Sequence, residues 1–124
     1  MIVTVCWTYL ELIELTIAQF ERHSAEDIQI EHLKDILRQE RIDGQIYAVS
    51  GKIGGITHSA VVASREMLND PSTEGYWCAL FQKVSGAGGK FIAVVNVNDQ
   101  AEAQALQNAI CSRSTDALLW TFPS

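Results

Sequence analysis

Positive charge is scarce in this chain: nine Lys and Arg stand against fifteen Asp and Glu in 124 residues, a formal net charge of −6. Binding through a nucleic-acid backbone needs Lys and Arg gathered into a stripe, and none is present, so no nucleic-acid partner is expected. Long apolar runs are missing as well. No stretch of about 18 uncharged apolar residues occurs, which removes a membrane-spanning helix from the expectations. The apolar start at Met1–Trp7 has no basic leader and meets Glu11 and Glu14 where the apolar core of a signal peptide should continue.

Cysteine is sparse and odd in number. Cys6, Cys78 and Cys111 lie far apart, and three thiols cannot close a complete disulfide framework. Free, mostly buried thiols in a reducing cytoplasm are the expectation. No Cys-x-x-Cys is present, and His23, His32 and His58 form no His-x-x-x-His pair, so the spacings that announce a metal site are absent. Nor do the glycines cradle a phosphate. Four residues before Gly89-Lys90 would have to follow a Gly, but Val84 stands there, and Phe91 follows the Lys in place of Ser or Thr. Gly51–Gly55 lacks dinucleotide-binding spacing. No cofactor is expected.

What is present is an ordinary globular composition, 48% hydrophobic and 19% charged, sized for a single domain, 1–124, with one core. The charge is uneven: residues 1–43 carry nine acids and four bases, residues 44–98 three and four, residues 99–124 three and one. An acidic helical segment therefore precedes a nearly neutral sheet segment.

Two apolar runs, Tyr76–Val84 and Phe91–Val97, are rich in aromatic and β-branched residues and are joined by Ser85-Gly86-Ala87-Gly88-Gly89-Lys90. They read as a central hairpin covered on both sides. Upstream, Ile2, Cys6, Leu10, Ile13, Ile17 and Phe20 fit one face of a long helix ending near His23, the favoured reading, whereas Thr8 and Glu11 in the form of a capping box would instead start the helix at Tyr9 after a short strand. The residues before Thr8 fit strand or helix. Ser24 and Asp27 then read as the cap of a second helix with a stripe of Ile30, Leu33, Ile36 and Leu37, stopped by Gly44. Gln45–Ser50 and Gly55–Ala63 read as strands around Gly51–Gly55, with a helix over Ser59–Leu68 as the competing reading for the second. Asn69–Gly75 reads as a polar surface loop. Asp99 and Glu102 open a helix to about Cys111, a turn follows at 112–116, and Ala117–Phe122 is a last strand reached by a right-handed crossover. The fold class expected is α+β: a mixed, mainly antiparallel five-stranded sheet with two N-terminal helices and one C-terminal crossover helix packed on one face.

For chemistry, His58 and Ser59 near Cys78 form the only catalytic suggestion. It requires His58 and Cys78 to approach across the sheet, because a Cys nucleophile needs a base beside it. Trp77, Trp120 and Phe122 are candidate binding residues, as rings of this kind anchor interfaces. The functional expectation is a small cytoplasmic binding or interaction protein, homodimeric, acting through an apolar patch or pocket. The partner is a second copy, another protein or an apolar small molecule. The alternative is a small cofactor-free enzyme using His58 with Cys78 or Ser59.

Overall fold

A computed structural model describes residues 7–39, 42, 46–111 and 117–122. The expectations for Met1–Cys6, the Gly44 helix stop and the turn at 112–116 lie outside the described residues.

Helix α1 (Tyr9–Arg22) starts where the capping box places it: Thr8 Oγ1 accepts from the Glu11 N–H at 3.2 Å, and the Thr8 N–H donates to Glu11 Oε1 at 3.0 Å. Its Leu12, Ile13, Thr16 and Phe20 are buried. Next comes strand β1 (Glu26–His32), where a helix from Ser24 was expected. Ser24 and Asp27 both hold left-handed backbone, φ 56° and 55°, which stops a right-handed helix. Ile28 and Ile30 then alternate as an edge strand paired antiparallel to the next one. Only Leu33–Leu37 of that stretch is helical (α2), with Leu33 buried, while Ile30 of the expected stripe is exposed.

Strands β2 (Tyr47–Ile53) and β3 (Ile56–Val62) form a hairpin closed by two residues, Gly54 and Gly55, at φ 59° and 81°. Positive φ at both positions is what a two-residue turn between twisted strands demands. The competing helix survives only as α3 (Arg65–Asn69).

The largest correction concerns Tyr76–Val84, which is not a strand but the body of helix α4 (Ser72–Gly86). Thr73, Trp77, Leu80 and Val84 are all buried, and their spacing of four, three and four residues is a helix stripe. Glu74, Gly75, Gln82 and Lys83 face solvent. The expected loop at Asn69–Gly75 is the junction of two helices, since Pro71 next to the first turn loses no needed N–H, and the Ser72 N–H donates to Asp70 Oδ1 at 2.9 Å. The glycine cluster therefore links a helix to a strand. A Cβ on Gly89 would lie 2.7 Å from the Thr57 carbonyl oxygen, so the close approach there excludes any side chain.

Strand β4 (Lys90–Asn96) follows, then a short 3₁₀ turn (Val97–Asp99), helix α5 (Gln100–Cys111) and strand β5 (Ala117–Phe122). The sheet order among the described residues is β1-β2-β3-β4-β5, with antiparallel ladders in the first half and parallel ladders for β3–β4 and β4–β5. The α+β class, the five-stranded mixed sheet and the parallel crossover into β5 match expectation.

Helices cover both faces rather than one. Leu12, Ile13 and Phe20 of α1 pack with Val49, Ala60, Val62, Ile92 and Val94. On the other face Leu33, Trp77, Leu80, Val84 and Ala103 pack with Val61, Phe91, Ala93 and Val95. Because β4 alternates two apolar sets, Phe91/Ala93/Val95 and Ile92/Val94, a single helical layer would leave one of them wet. Among the described residues no helix is long and apolar enough to cross a membrane.

Candidate ligand-binding cleft

Parallel pairing brings the carboxyl ends of β3, β4 and β5 to one edge of the sheet, where Val62, Asn96 and Phe122 end their strands. In open sheets with parallel strands, ligands sit outside these ends. A cleft of about 490 Å³ opens at this edge, within the size range of small-molecule sites. Trp7, Thr8 and Tyr9 supply one wall from the start of α1. Ser64, Arg65, Glu66 and Met67 supply another from the start of α3, and Asn96 and Asp99 come from the segment after β4.

The wall at Trp7 is pinned from three directions. The Trp7 N–H donates to Asn96 Oδ1 at 2.7 Å, Asn96 Nδ2 donates to the Trp7 carbonyl at 3.1 Å, and the indole Nε1 donates to the Phe122 carbonyl at 3.1 Å. Asn96 occupies the α1-facing position of β4 after Ile92 and Val94, so the apolar alternation ends in a buried amide that reproduces strand-like pairing for one residue. Tyr9 is fixed in turn. Its hydroxyl accepts from the Tyr47 N–H at 2.8 Å and lies 3.4 Å from the Tyr47 carbonyl. Burial pushes its pKa up to about 12, outweighing the stabilisation of the phenolate by the Tyr47 N–H.

On the opposite wall Arg65 Nε donates to Asp99 Oδ1 at 2.9 Å. The Asp99 side chain is only 5% exposed, whereas Arg65 is 65% exposed. A buried carboxylate is costly unless paired, and Arg65 provides the compensating charge. The same pair borders a neighbouring depression of about 270 Å³ that includes Leu68, Asn69 and Glu102. Comparison with protein-family models, curated proteins and solved structures gives no match for this chain.

None of His58, Ser59, Cys78, Trp77, Trp120 and Phe122 lines this cleft with a side chain. His58 lies near the start of β3, its Nδ1 2.9 Å from the Ile56 carbonyl. That oxygen only accepts, so Nδ1 carries the proton. Ser59 is buried in the same strand, between Ser50 and Phe91 in the ladders. Cys78 is a free thiol on α4, contacted by Gln82 Nε2 at 3.6 Å. The cross-sheet approach of His58 and Cys78 required Cys78 on a strand, and its place on a helix removes that route. Trp77 is 1% exposed and meets Phe91 edge-on at 5.9 Å. Trp120 packs on Phe20 and stacks with His23, with ring centroids at 5.4 and 5.9 Å. Phe122 contributes its backbone carbonyl to the Trp7 indole.

The residues that shape the cleft, Trp7, Asn96, Arg65 and Asp99, carry no motif. The one signal legible for Asn96 is an amide that terminates an otherwise apolar strand face. Among the described residues no group of three or more His, Cys, Asp and Glu side chains is placed to hold a metal ion. The cleft offers three hydroxyl side chains at Thr8, Tyr9 and Ser64, an ion pair, a carboxylate at Glu66 and a wall at Trp7. These groups suit recognition of a small molecule with both polar and apolar parts.

Proposed function

We propose that this protein is a binding module for a small organic molecule, held at the carboxyl edge of the parallel strands and requiring no cofactor. The observation that carries this reading is the cleft whose walls are already fixed by the Asn96–Trp7 and Arg65–Asp99 contacts. A preformed site loses little ordering entropy on binding. Nitrogen-15 NMR titration with a panel of small aromatic and aliphatic fragments tests it. Fragments that bind are expected to shift the amides of Thr8, Tyr9, Arg65 and Met67 together. A panel that binds only elsewhere, or not at all, overturns the reading.

Self-association through β5 is a second reading. Among the described residues Ala117–Phe122 is an end strand, it has no charged side chain, and Leu118 is partly exposed. Uncharged edge strands favour pairing with another copy. Against it, the Leu118 and Phe122 carbonyls already accept side-chain donors from Gln107 and Trp7 at 2.7 and 3.1 Å. Light scattering that finds a monomer at every concentration removes this second reading. The free Cys78 thiol fits the cytoplasmic setting inferred from the cysteine count.

A further inference from the structure

We propose that the ligand of this cleft is an organic cation, an ammonium or amidinium group directed at Glu66 on an apolar body resting against Trp7 and Met67. The inference depends on the cleft being a binding site and adds the chemical class of what it takes.

Charge decides first. The lining holds three charged side chains, Arg65, Glu66 and Asp99. Arg65 is engaged with a carboxylate that is almost entirely buried, at 2.9 Å; a ligand anion that drew it away would strand a charge in the interior. Glu66 is exposed and forms no ion pair among the described residues. Glu102 adds a second carboxylate in the neighbouring depression. With the Arg65–Asp99 pair neutral, the described lining residues leave −1, on a chain of net −6. That field disfavours an anion and raises the local concentration of cations.

The helix ends do not reverse this. The positive end of α1 is already met by its own capping box, with the Glu11 carboxylate 3.0 Å from the Thr8 nitrogen. Helix α3 has five residues and is too short to concentrate a useful dipole.

The second observation is the aromatic wall. The Trp7 indole is fixed by its hydrogen bond to the Phe122 carbonyl, and an indole is the best ring for receiving a cation. Two exposed apolar residues adjoin the lining residues in sequence. Leu10, in the first turn of α1, is 68% exposed, and Val97, immediately after β4, is 38% exposed. A free ammonium ion would use none of that surface, whereas an amine on a hydrocarbon body uses both kinds.

Three probes of one shape and different charge separate the possibilities: benzylamine, benzyl alcohol and benzoate, each titrated into the labelled full chain at low ionic strength. Benzylamine is expected to shift the Arg65, Glu66 and Met67 amides and to bind about three- to fivefold more tightly than benzyl alcohol, the size of effect one exposed charge and a cation–ring contact provide. Benzoate is expected to bind weakest. In Glu66→Gln the benzylamine preference should vanish while benzyl alcohol binds as before, and the exposed position makes loss of folding no explanation. If benzoate binds in the cleft as well as or better than benzylamine, or if Glu66→Gln leaves the preference intact, the cation inference falls and the cleft remains a site. If no probe moves the cleft amides, both fall.

Discussion

The two faces of the sheet are built from similar apolar residues and differ in how they end. On the face covered by α2, α4 and α5 the core contacts are hydrophobic, with Trp77 and Phe81 both meeting Phe91 edge-on, and the hydrogen bond from Gln107 to the Leu118 carbonyl lies away from the cleft. On the α1 face the apolar layer of Phe20, Val49, Ile92 and Val94 gives way at one edge to polar pins, Asn96 on Trp7 and Tyr9 on Tyr47. Hydrophobic burial is non-directional and supplies stability, whereas hydrogen bonds fix positions. The first face therefore holds the fold together, and the second places the cleft.

The largest expected effect lies on the hydrophobic face. Trp77→Ala empties a fully enclosed ring site and should destabilise the protein by about 3–5 kcal/mol in urea denaturation; a loss below about 1 kcal/mol would mean that this face does not carry the fold.

Next in size is the pH response of the pinned face. Tyr9 ionises at about 12 in the folded chain against 10.0 in the unfolded one, mainly because burial disfavours the phenolate. The folded state thus holds its proton more tightly. Its contribution is complete below pH 10 and is lost as pH rises through 12, roughly 2–3 kcal/mol in all. Tyr9→Phe is less stable than the natural chain at neutral pH through loss of the Tyr47 N–H acceptor, and that gap should narrow between pH 10 and 12. Parallel stability curves over this range would show that Tyr9 is not held as described.

The smallest effect on stability, and the most telling for the cleft, is Asn96→Ala. Removing both bonds to the Trp7 backbone should cost about 1–2 kcal/mol. It should also weaken any fragment that binds in the cleft, by loosening the indole wall, while Trp77→Phe on the other face should leave binding unchanged. Equal losses of binding from the two substitutions would erase the distinction between the faces.

Local chemistry in the sequence was decisive wherever neighbours a few residues apart satisfy each other. The Thr8–Glu11 box and the short apolar strands Phe91–Val97 and Ala117–Phe122 are of this kind, and each is found in the fold; the glycine hairpin is found too, but its loop shrinks from Gly51–Gly55 to Gly54-Gly55 because Gly51–Ile53 pair in β2. Tyr76–Val84 was misread because aromatic and β-branched content suggested strand, although Thr73, Trp77, Leu80 and Val84 already kept helix spacing. Glu26–His32 was misread for the opposite reason: a polar edge strand lacks a strong apolar alternation, and the stripe of α2 was extended backwards through Ile30. The cleft was not legible at all. Its residues come from 7–9, 64–67 and 96–99, and nothing in any one segment marks it as a wall.

The amino-acid order alone determined the α+β class, the body of the first helix, the presence of a glycine hairpin and the crossover into the last strand, because each rests on contacts close in sequence or on a repeating apolar period. Tertiary packing alone decided which helices cover each side of β4, that Asn96 turns its amide to Trp7 across 89 residues of chain, and that Arg65 meets a buried Asp99. Those choices depend on which distant groups are removed from water together, and burial of that kind leaves no local signature.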